Sequence, residues 1–372
     1  MIGAESVNPI LSMGDALIAS DSPMKIDLSM SLPSEGMEAF QVFLKNLKEQ
    51  CQSLGLQFLL IHHQNLQHSM DMFRRGKWLP GLHLDFFSHW DSPGDPFAEL
   101  SHFIQDHQGV PINPPGRAKL FTDKVNGHAE LARHGLGLPR TTIFRPGATH
   151  THLIDSIKRF LSEERKSNPG SLFLKKANGF GNRGVSNLKT RDSEELARII
   201  SNCMQIDRND CYLLQEEIRC EFLVTQAGLL RPAYWRIIHC LGEQFAFWWK
   251  PHEYCSSTEP SYIPLEKSEI LKFGLMPVLE YARDLKSISG MDWFSTELCL
   301  ARPEIHSKHR VQLTSNLNLP VVSIDYFNDQ CDVNAQSKWI GAPPDETVAL
   351  IARRFALQAL RLKSHHTEIK AA

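Results

Sequence analysis

FLKKANGFGNRGV, residues 173–185, constrains this chain more than any other stretch. An apolar, strand-like run ends in two lysines, and a glycine-rich turn leads into a second strand-like run. Gly179, Gly181 and Gly184 let backbone amides approach an anion with no side chain in the way, and Lys175 or Lys176 supplies a fixed positive charge beside them. That combination suits the phosphates of a nucleotide. The three glycines also spell G-x-G-x-x-G, the dinucleotide fingerprint, in which the turn joins a first strand to a helix. Here no helical start signal follows at Val185–Leu188, and over a hundred residues of other structure precede the turn. A strand–loop–strand flap over phosphates fits better. Neither H-R-D nor D-F-G occurs, which argues against a protein kinase.

The chain has 372 residues, 42% hydrophobic and 22% charged, enough for one large core or two to three smaller ones. A net charge of −2 with scattered basic residues gives no reason to expect nucleic acid as a partner. No apolar run reaches the roughly 20 residues that cross a bilayer, and no basic segment followed by an apolar core opens the chain. Eight dispersed cysteines without a C-x-x-C pair read as buried thiols, and a cytoplasmic location is expected. Seventeen histidines raise the question of a metal. The clusters His62/His63/His68, His306/His309 and His365/His366 all lack zinc-site spacing, so surface or loop roles are the simpler reading.

The first 30 or so residues read as partly loose. Beyond them, Met37, Phe40, Phe43, Leu44, Leu47 and Cys51 recur at helical spacing, QFLLI (57–61) and LHLDFF (82–87) read as strands, and 96–108 reads as a helix. GVPINPP (109–115) reads as a short strand with a proline stop. Alternation of this kind predicts a parallel α/β domain over 31–115. At 122–139 Thr122 or Asp123 caps a new helix that ends at Gly135 and Pro139. Strand TTIF, a helix from about Ile154 to Arg165, the flap and strand YLLQEEI (212–218) follow. AYWRIIHCL (233–241) and EQFAFWWK (243–250) form an antiparallel pair, MDWFSTELCL (291–300) and VVSIDYF (321–327) are further strands, and a helix from about Pro344 to Ser364 closes the chain.

In this order the segments resemble the ATP-grasp superfamily over roughly 115–340, with the preceding α/β unit similar to its usual N-terminal domain. The resemblance implies a parallel α/β domain followed by a two-lobed ATP-grasp fold. Residues 1–30 would be a loose leader, 31–115 the N-terminal domain, 116–210 the small lobe with the flap, and 211–372 the large lobe with the last helix. It implies that Lys124, in TDK, and Lys175 hold phosphates, with Lys176 as the fallback and Gly181 and Gly184 in the flap. Backbone near Glu216, Glu217 and Ile218 would read adenine, and Glu221 would accept ribose hydroxyls. Each also has a simpler reading: Lys124 as a solvated helix-start residue, the glutamates as edge charges.

Arg236 inside AYWRIIHCL is telling, because a strand-interior arginine is rarely buried without an anionic partner. The resemblance places it, with Lys250, at the transferred phosphate or a substrate carboxylate. Glu297 and Asp325 each put a charge inside an apolar strand, which is costly unless something binds it. Asp292 and Glu297 have opposite parity, so one of them lines the site; Glu297 is preferred, since Asp292, just after Gly290 and Met291, reads as a strand start. The resemblance makes Glu297, Asp325 and Asn328 the Mg2+ ligands. The usual acid-x-Asn spacing fails here: Phe327 stands two after Asp325, so Asn328 turns inward only through a bulge or a strand end, and Asp329 competes with it.

ATP and Mg2+ are the implied cofactors, and the implied reaction joins a small-molecule carboxylate to an amine through an acyl phosphate. A kinase acting on a hydroxyl and a non-catalytic nucleotide-binding protein are the rival readings. No membrane partner is expected, and a homodimer is the assembly such relatives often form. For substrate, the stretch 81–95 offers His83, Asp85, His89 and Trp90, with packing against the next domain as the simpler role. The run Phe245, Phe247, Trp248, Trp249 reads as core rather than as a substrate platform.

Overall fold

MKIDLSMS is the first strand, β1 (Met24–Ser31), although the sequence reading leaves most of it in a loose leader. Its burial explains the miss. Ile26, Leu28 and Met30 are buried, and so are the alternating Asp27, Ser29 and Ser31. A strand covered on both faces and carrying polar residues inside gives no clean apolar alternation. The computed structural model describes residues 22–32, 40–90, 92–163, 170–179, 184–225, 228–249, 260–302, 319–329 and 333–371.

β1 lies inside a four-stranded parallel sheet with α1 (Gln41–Ser53), β2 (Phe58–Ile61), α2 (Leu66–Arg74), β3 (Trp78–Asp85), α3 (Pro96–Asp106) and β4 (Val110–Ile112). The strand order is β2-β1-β3-β4. α1 buries Phe43, Leu44, Leu47 and Cys51, the helical stripe visible in the sequence. α3 starts where Asp95 accepts hydrogen bonds from the amides of Phe97 and Ala98, with Pro96 in its first turn.

α4 (Pro115–Thr122) and α5 (Lys124–Arg133) lead into the small lobe. It comprises β5 (Thr141–Phe144), α6 (His150–Ser162), β6 (Leu172–Lys176), β7 (Val185–Leu188), α7 (Ser193–Ile206) and β8 (Tyr212–Glu216), with an antiparallel sheet ordered β5-β8-β6-β7; β8 pairs with β5 and β6 here, although the sequence reading starts the large lobe at 211. α6 and α7 bury Leu153, Ile157, Phe160, Leu196 and Ile200 against Phe144, Leu172, Leu174 and Leu214.

The large lobe opens with the short hairpin β9 (Phe222–Val224) and β10 (Leu230–Pro232). β11 (Tyr234–Cys240), β12 (Glu243–Trp248), β13 (Ile263–Pro264), α8 (Lys267–Phe273), α9 (Met276–Ser289), β14 (Trp293–Leu300) and β15 (Val321–Asn328) follow. Its five-stranded antiparallel sheet is ordered β13-β12-β11-β14-β15. One face packs Trp235, Ile237, Phe294 and Leu298 against Val278, Ala282 and Leu285 of α9. The other face, through Tyr234, Ile238, Phe247 and Trp293, joins the core of the N-terminal domain.

The last helix, α10 (Asp345–Ala371), does not sit with the large lobe alone, as the sequence reading has it. It packs on α1 and on the N-terminal sheet. Phe355 meets Phe43, Phe86 and Trp293 with ring centroids 6.3, 6.0 and 5.4 Å apart. Lys363 Nζ donates to the buried Asp27 carboxylate at 2.9 Å. The apolar stripe of α10 specifies burial but not which domain supplies the partner. None of the helices among the described residues is long and apolar enough to cross a membrane.

Asn113, just after β4, ties the N-terminal domain to the start of β14. Its Oδ1 accepts from the amides of Asp292 and Trp293, both at 2.8 Å, and its Nδ2 donates to the Trp293 carbonyl at 2.6 Å. Removing it leaves buried backbone groups unpaired. Asn113→Ala should therefore lower the unfolding free energy by about 2–4 kcal/mol in denaturant titrations. An unchanged unfolding curve would contradict this role.

Candidate functional site

Three charged residues lie in a row across the middle of the large-lobe sheet. Arg236 of β11 is opposite Glu297 of β14, and Glu297 is opposite Asp325 of β15. Ser295, on the same side of β14 as Glu297 by strand alternation, is opposite Asn328. From Ser295 to Glu297 β14 advances two residues while β15 spans three, from Asn328 to Asp325. That bulge corrects the parity, so Asn328 joins the face carrying Asp325. Its Oδ1 is buried with no hydrogen-bond partner among the described residues.

A second register shift lies between Glu297 and Leu298, which pair with Asp325 and Ser323. It leaves Ile324 outside the ladder, and the Ile324 carbonyl accepts from Lys175 Nζ at 2.7 Å. The small lobe thus delivers a buried lysine to the acidic face of the large lobe.

The electrostatics are those of a desolvated cluster. Burial raises the Glu297 pKa and the neighbouring Asp325 adds to it, against the opposing pull of Arg236, Tyr234 and Lys175. Tyr234 donates to Glu297 Oε2 at 2.6 Å, and Arg236 Nη1 stands 3.6 Å from Oε1. Burial likewise lowers the Lys175 pKa, with Asp325 and Glu297 opposing and Lys124 reinforcing the shift. Arg236 is held on all sides: Nε and Nη2 donate to Ser295 Oγ at 3.2 and 3.1 Å, and its guanidinium lies 4.9 Å from the Trp249 ring centre. Tyr262 is also within cation–π range, at 5.8 Å.

Among the described residues no group of three or more His, Cys, Asp or Glu side chains is placed to hold a metal by itself. Glu297, Asp325 and the unpartnered Asn328 amide oxygen offer instead two carboxylates and one neutral oxygen. That hard-oxygen set fits Mg2+, which keeps further positions for water and phosphate.

Lys124 opens α5 directly after its cap, Asp123, whose carboxylate accepts from the amides of Val125 and Asn126. Lys124 Nζ donates to the Gly179 carbonyl at 2.6 Å, so it reaches the start of the glycine loop. Lys176 points the other way along β6. Its Nζ lies 3.3 Å from Asp207 and 2.9 Å from Asp210; burial lowers its pKa, but the two acids outweigh this and the net shift is upward. The structure therefore groups Lys175 and Lys124 with the acidic row, and commits Lys176 elsewhere. Gly184 has φ +79°, and a Cβ there would stand 2.7 Å from Lys176 Cβ, so only glycine fits. Gly181 and Lys250 lie outside the described residues.

At the end of β8 the two glutamates join segments together. Glu216 accepts from the Arg140 amide and Nε at 3.0 and 3.3 Å, and Glu217 accepts from the Ser171 amide at 2.7 Å. Their amides donate to the Arg140 and Ser171 carbonyls. The Glu216 and Glu217 side chains and amides are thus spent on the fold. Glu221 accepts from the Phe222 amide at 2.9 Å and from Arg302 at 3.3 Å.

The substrate candidates of the N-terminal domain mostly have structural partners. His83 is buried between Ser29 and Ser31 at 2.9 and 3.1 Å, and burial pushes its pKa down to about 4. Asp85 accepts from the Phe87 and Ser88 amides and from the Ser88 and Ser101 hydroxyls. Trp90 Nε1 donates to Asp329 at 2.6 Å, which turns Asp329, the competitor of Asn328, toward the N-terminal domain. His89 alone of the four is exposed. His63 and His68 pack on Phe97 and Trp78 at ring distances of 4.8 and 5.8 Å, in keeping with the simpler reading of that cluster.

Sequence reasoning missed Tyr234 and Ser295. Both could have been found, since each sits two positions from a charged residue, Arg236 or Glu297, on the same side of its strand.

No protein-family model matches this chain, and no curated protein matches it. Solved structures do. A RimK-domain ATP-grasp protein from Sphaerobacter thermophilus aligns with a TM-score of 0.55 at 14% identity, over 89% of this chain and 99% of that one. The D-cycloserine synthetase DcsG aligns with a TM-score of 0.58 at 12% identity, over 89% and 99%. A D-alanine–D-alanine ligase from Bacillus anthracis, complexed with ATP, aligns with a TM-score of 0.57 at 8% identity, over 92% and 99%. The fold of this chain is that of the ATP-grasp proteins.

The two neighbouring lysines give a direct comparison. If this cluster is read as a nucleotide site, Lys175→Ala should weaken nucleotide binding at least about tenfold, the loss expected for one charge-assisted contact, while Lys176→Ala should leave it within about twofold. Titration calorimetry on both variants checks this; equal losses would contradict the placement.

Proposed function

We propose that this chain is a Mg2+- and ATP-dependent ligase that joins a carboxylate to an amine through an acyl phosphate. The observation that carries the reading is the row Arg236–Glu297–Asp325, extended to Asn328 by the bulge in β15 and faced by Lys175 from the other lobe. A D-alanine–D-alanine ligase and a D-cycloserine synthetase among the structural neighbours support ligation as the reaction class.

In this reading Lys124 and Lys175 hold phosphate oxygens, with Gly181 and Gly184 keeping the flap backbone open to them. With the Glu216 and Glu217 amides bonded to Arg140 and Ser171, backbone at Ile218 meets adenine, and Glu221 meets the ribose. Glu297, Asp325 and Asn328 would hold Mg2+, which supplies charge neutralisation at the phosphates when bound. Arg236 faces the transferring group, and its rigid seat on Trp249 and Ser295 means that no reorganisation is needed as charge develops there. Lys250, which lies outside the described residues, is assigned to the same group by the resemblance alone. Tyr234 holds the Glu297 carboxylate in place by its hydrogen bond. The substrate carboxylate attacks the γ-phosphorus, ADP departs, and the amine then displaces phosphate from the acyl carbon. Phosphoryl transfer of this kind needs positioning and charge rather than a protein nucleophile.

Incubation with Mg·ATP and a metabolite extract, with ADP and free phosphate measured together against a blank without extract, tests the reaction class. Ligation predicts extract-dependent ADP matched by equal free phosphate. ADP without matching phosphate would mean that the phosphoryl group stayed in a product, and the ligase reading would give way to a kinase.

A further inference from the structure

Lys124 and His128 are four residues apart on α5 and so share one face of that helix. Gly127 between them lets the helix lie against β15: a Cβ there would stand 3.1 Å from the Phe121 carbonyl oxygen, 3.6 Å from the Phe327 ring and 3.8 Å from the Tyr326 ring. This close approach brings His128 Nδ1 to 2.7 Å from the Tyr326 hydroxyl. Tyr326 directly follows Asp325 on β15 and is itself buried.

The polar groups around Tyr326 fix where its proton goes. Gln215 Nε2 donates to the Tyr326 oxygen at 2.8 Å and to Thr141 Oγ1 at 3.0 Å. Thr141 spends its own proton on the Pro139 carbonyl, at 2.8 Å. The Tyr326 hydroxyl accepts from Gln215, and its own proton meets an acceptor in His128 Nδ1, at 2.7 Å. The imidazole then carries its proton on Nε2. Burial lowers the His128 pKa, and the nearby Lys175 lowers it further, so the ring is neutral at pH 7.

A neutral donor at this place has a chemical use. Lys124 and Lys175 already repel one another, as the effect of Lys124 on Lys175 shows. A third cation beside them would raise that repulsion, whereas a neutral N–H adds a hydrogen bond to an anion at no such cost. Among the described residues no protein group accepts from His128 Nε2.

We propose that His128 is a further nucleotide-binding residue, donating Nε2–H to a phosphate oxygen of the triphosphate held by Lys124 and Lys175, with Tyr326 and Gln215 as its positioning residues. The inference rests on the reading of the site as an ATP site. No helical His-x-x-x-His spacing or cysteine partner singles out His128 in the sequence; its role comes from packing.

The test compares Mg·ATP and AMP binding by calorimetry in the full-length wild type, His128→Ala and Tyr326→Phe, with imidazole nitrogen NMR reporting the tautomer. His128→Ala should bind Mg·ATP about tenfold more weakly, as expected for loss of one hydrogen bond to a charged group, and AMP unchanged. Tyr326→Phe should keep AMP affinity, weaken Mg·ATP several-fold and lose the uniform Nε2–H signal of His128. Unchanged Mg·ATP affinity in His128→Ala, or an equal loss for AMP, would overturn the inference and leave the ATP-site reading standing. A wild type that binds neither nucleotide would overturn both.

Discussion

Burying Glu297, Asp325, Arg236 and Lys175 around one strand pairing is the constraint on which the rest of the structure depends. Isolated charges in an apolar interior cost several kcal/mol each, and only close pairing with hydrogen bonds offsets this. Here two acids and two bases face one another, so the protein alone is balanced. In the proposed reaction a triphosphate entering the cluster would bring negative charge that this set does not offset. Lys124 and a divalent cation at the Asn328 end are what the remaining geometry offers to meet it. Each element around the row serves to hold it: the β15 bulge aims Asn328, the shifted Ile324 carbonyl receives Lys175, and Tyr234 and Ser295 fix the carboxylate and the guanidinium.

The N-terminal domain is part of that support. Trp293 at the start of β14 packs against Phe86 at 5.3 Å and Phe355 at 5.4 Å, so one continuous core runs from the parallel sheet through α10 into the large-lobe sheet. Asn113 and the Trp90–Asp329 hydrogen bond add polar ties at one end of the β14–β15 pair, where β14 begins and β15 finishes. Of the residues that look like substrate contacts in the sequence, Trp90 ties the domains together, while His83 and Asp85 are partnered inside the N-terminal domain. A polar side chain near a strand end reads the same in either role until its partner is known.

What the sequence showed and what it hid divide along physical lines. Charges inside apolar strands were legible because burial makes them costly, and this alone picks out Arg236, Glu297 and Asp325. The order of strands around the glycine turn was legible because strand runs and turn residues are local signals. β1 was not, since its buried Asp27, Ser29 and Ser31 disguise a central strand as polar leader. α7 and α9 do carry apolar residues at helical spacing, Leu196, Ala197 and Ile200 in one and Val278, Tyr281, Ala282 and Leu285 in the other, and are absent from the sequence reading all the same; the partner of α10 escaped because periodicity does not name the opposite face. The choice between Asn328 and Asp329 needed a bulge, and the choice between Lys175 and Lys176 needed to know which side of β6 faces the acids; parity alone cannot say either.

The central claim is that Glu297 and its neighbours form the cation end of an ATP site, and the response of ATP affinity to Mg2+ tests it most directly. ATP binding to the wild type, measured with and without Mg2+, should strengthen at least about tenfold on adding the cation, a difference of about 1.4 kcal/mol. In Glu297→Gln, where one anionic oxygen is replaced by a neutral amide, most of that gain should vanish while metal-free ATP binding persists. The same Mg2+ response in both proteins would contradict the account.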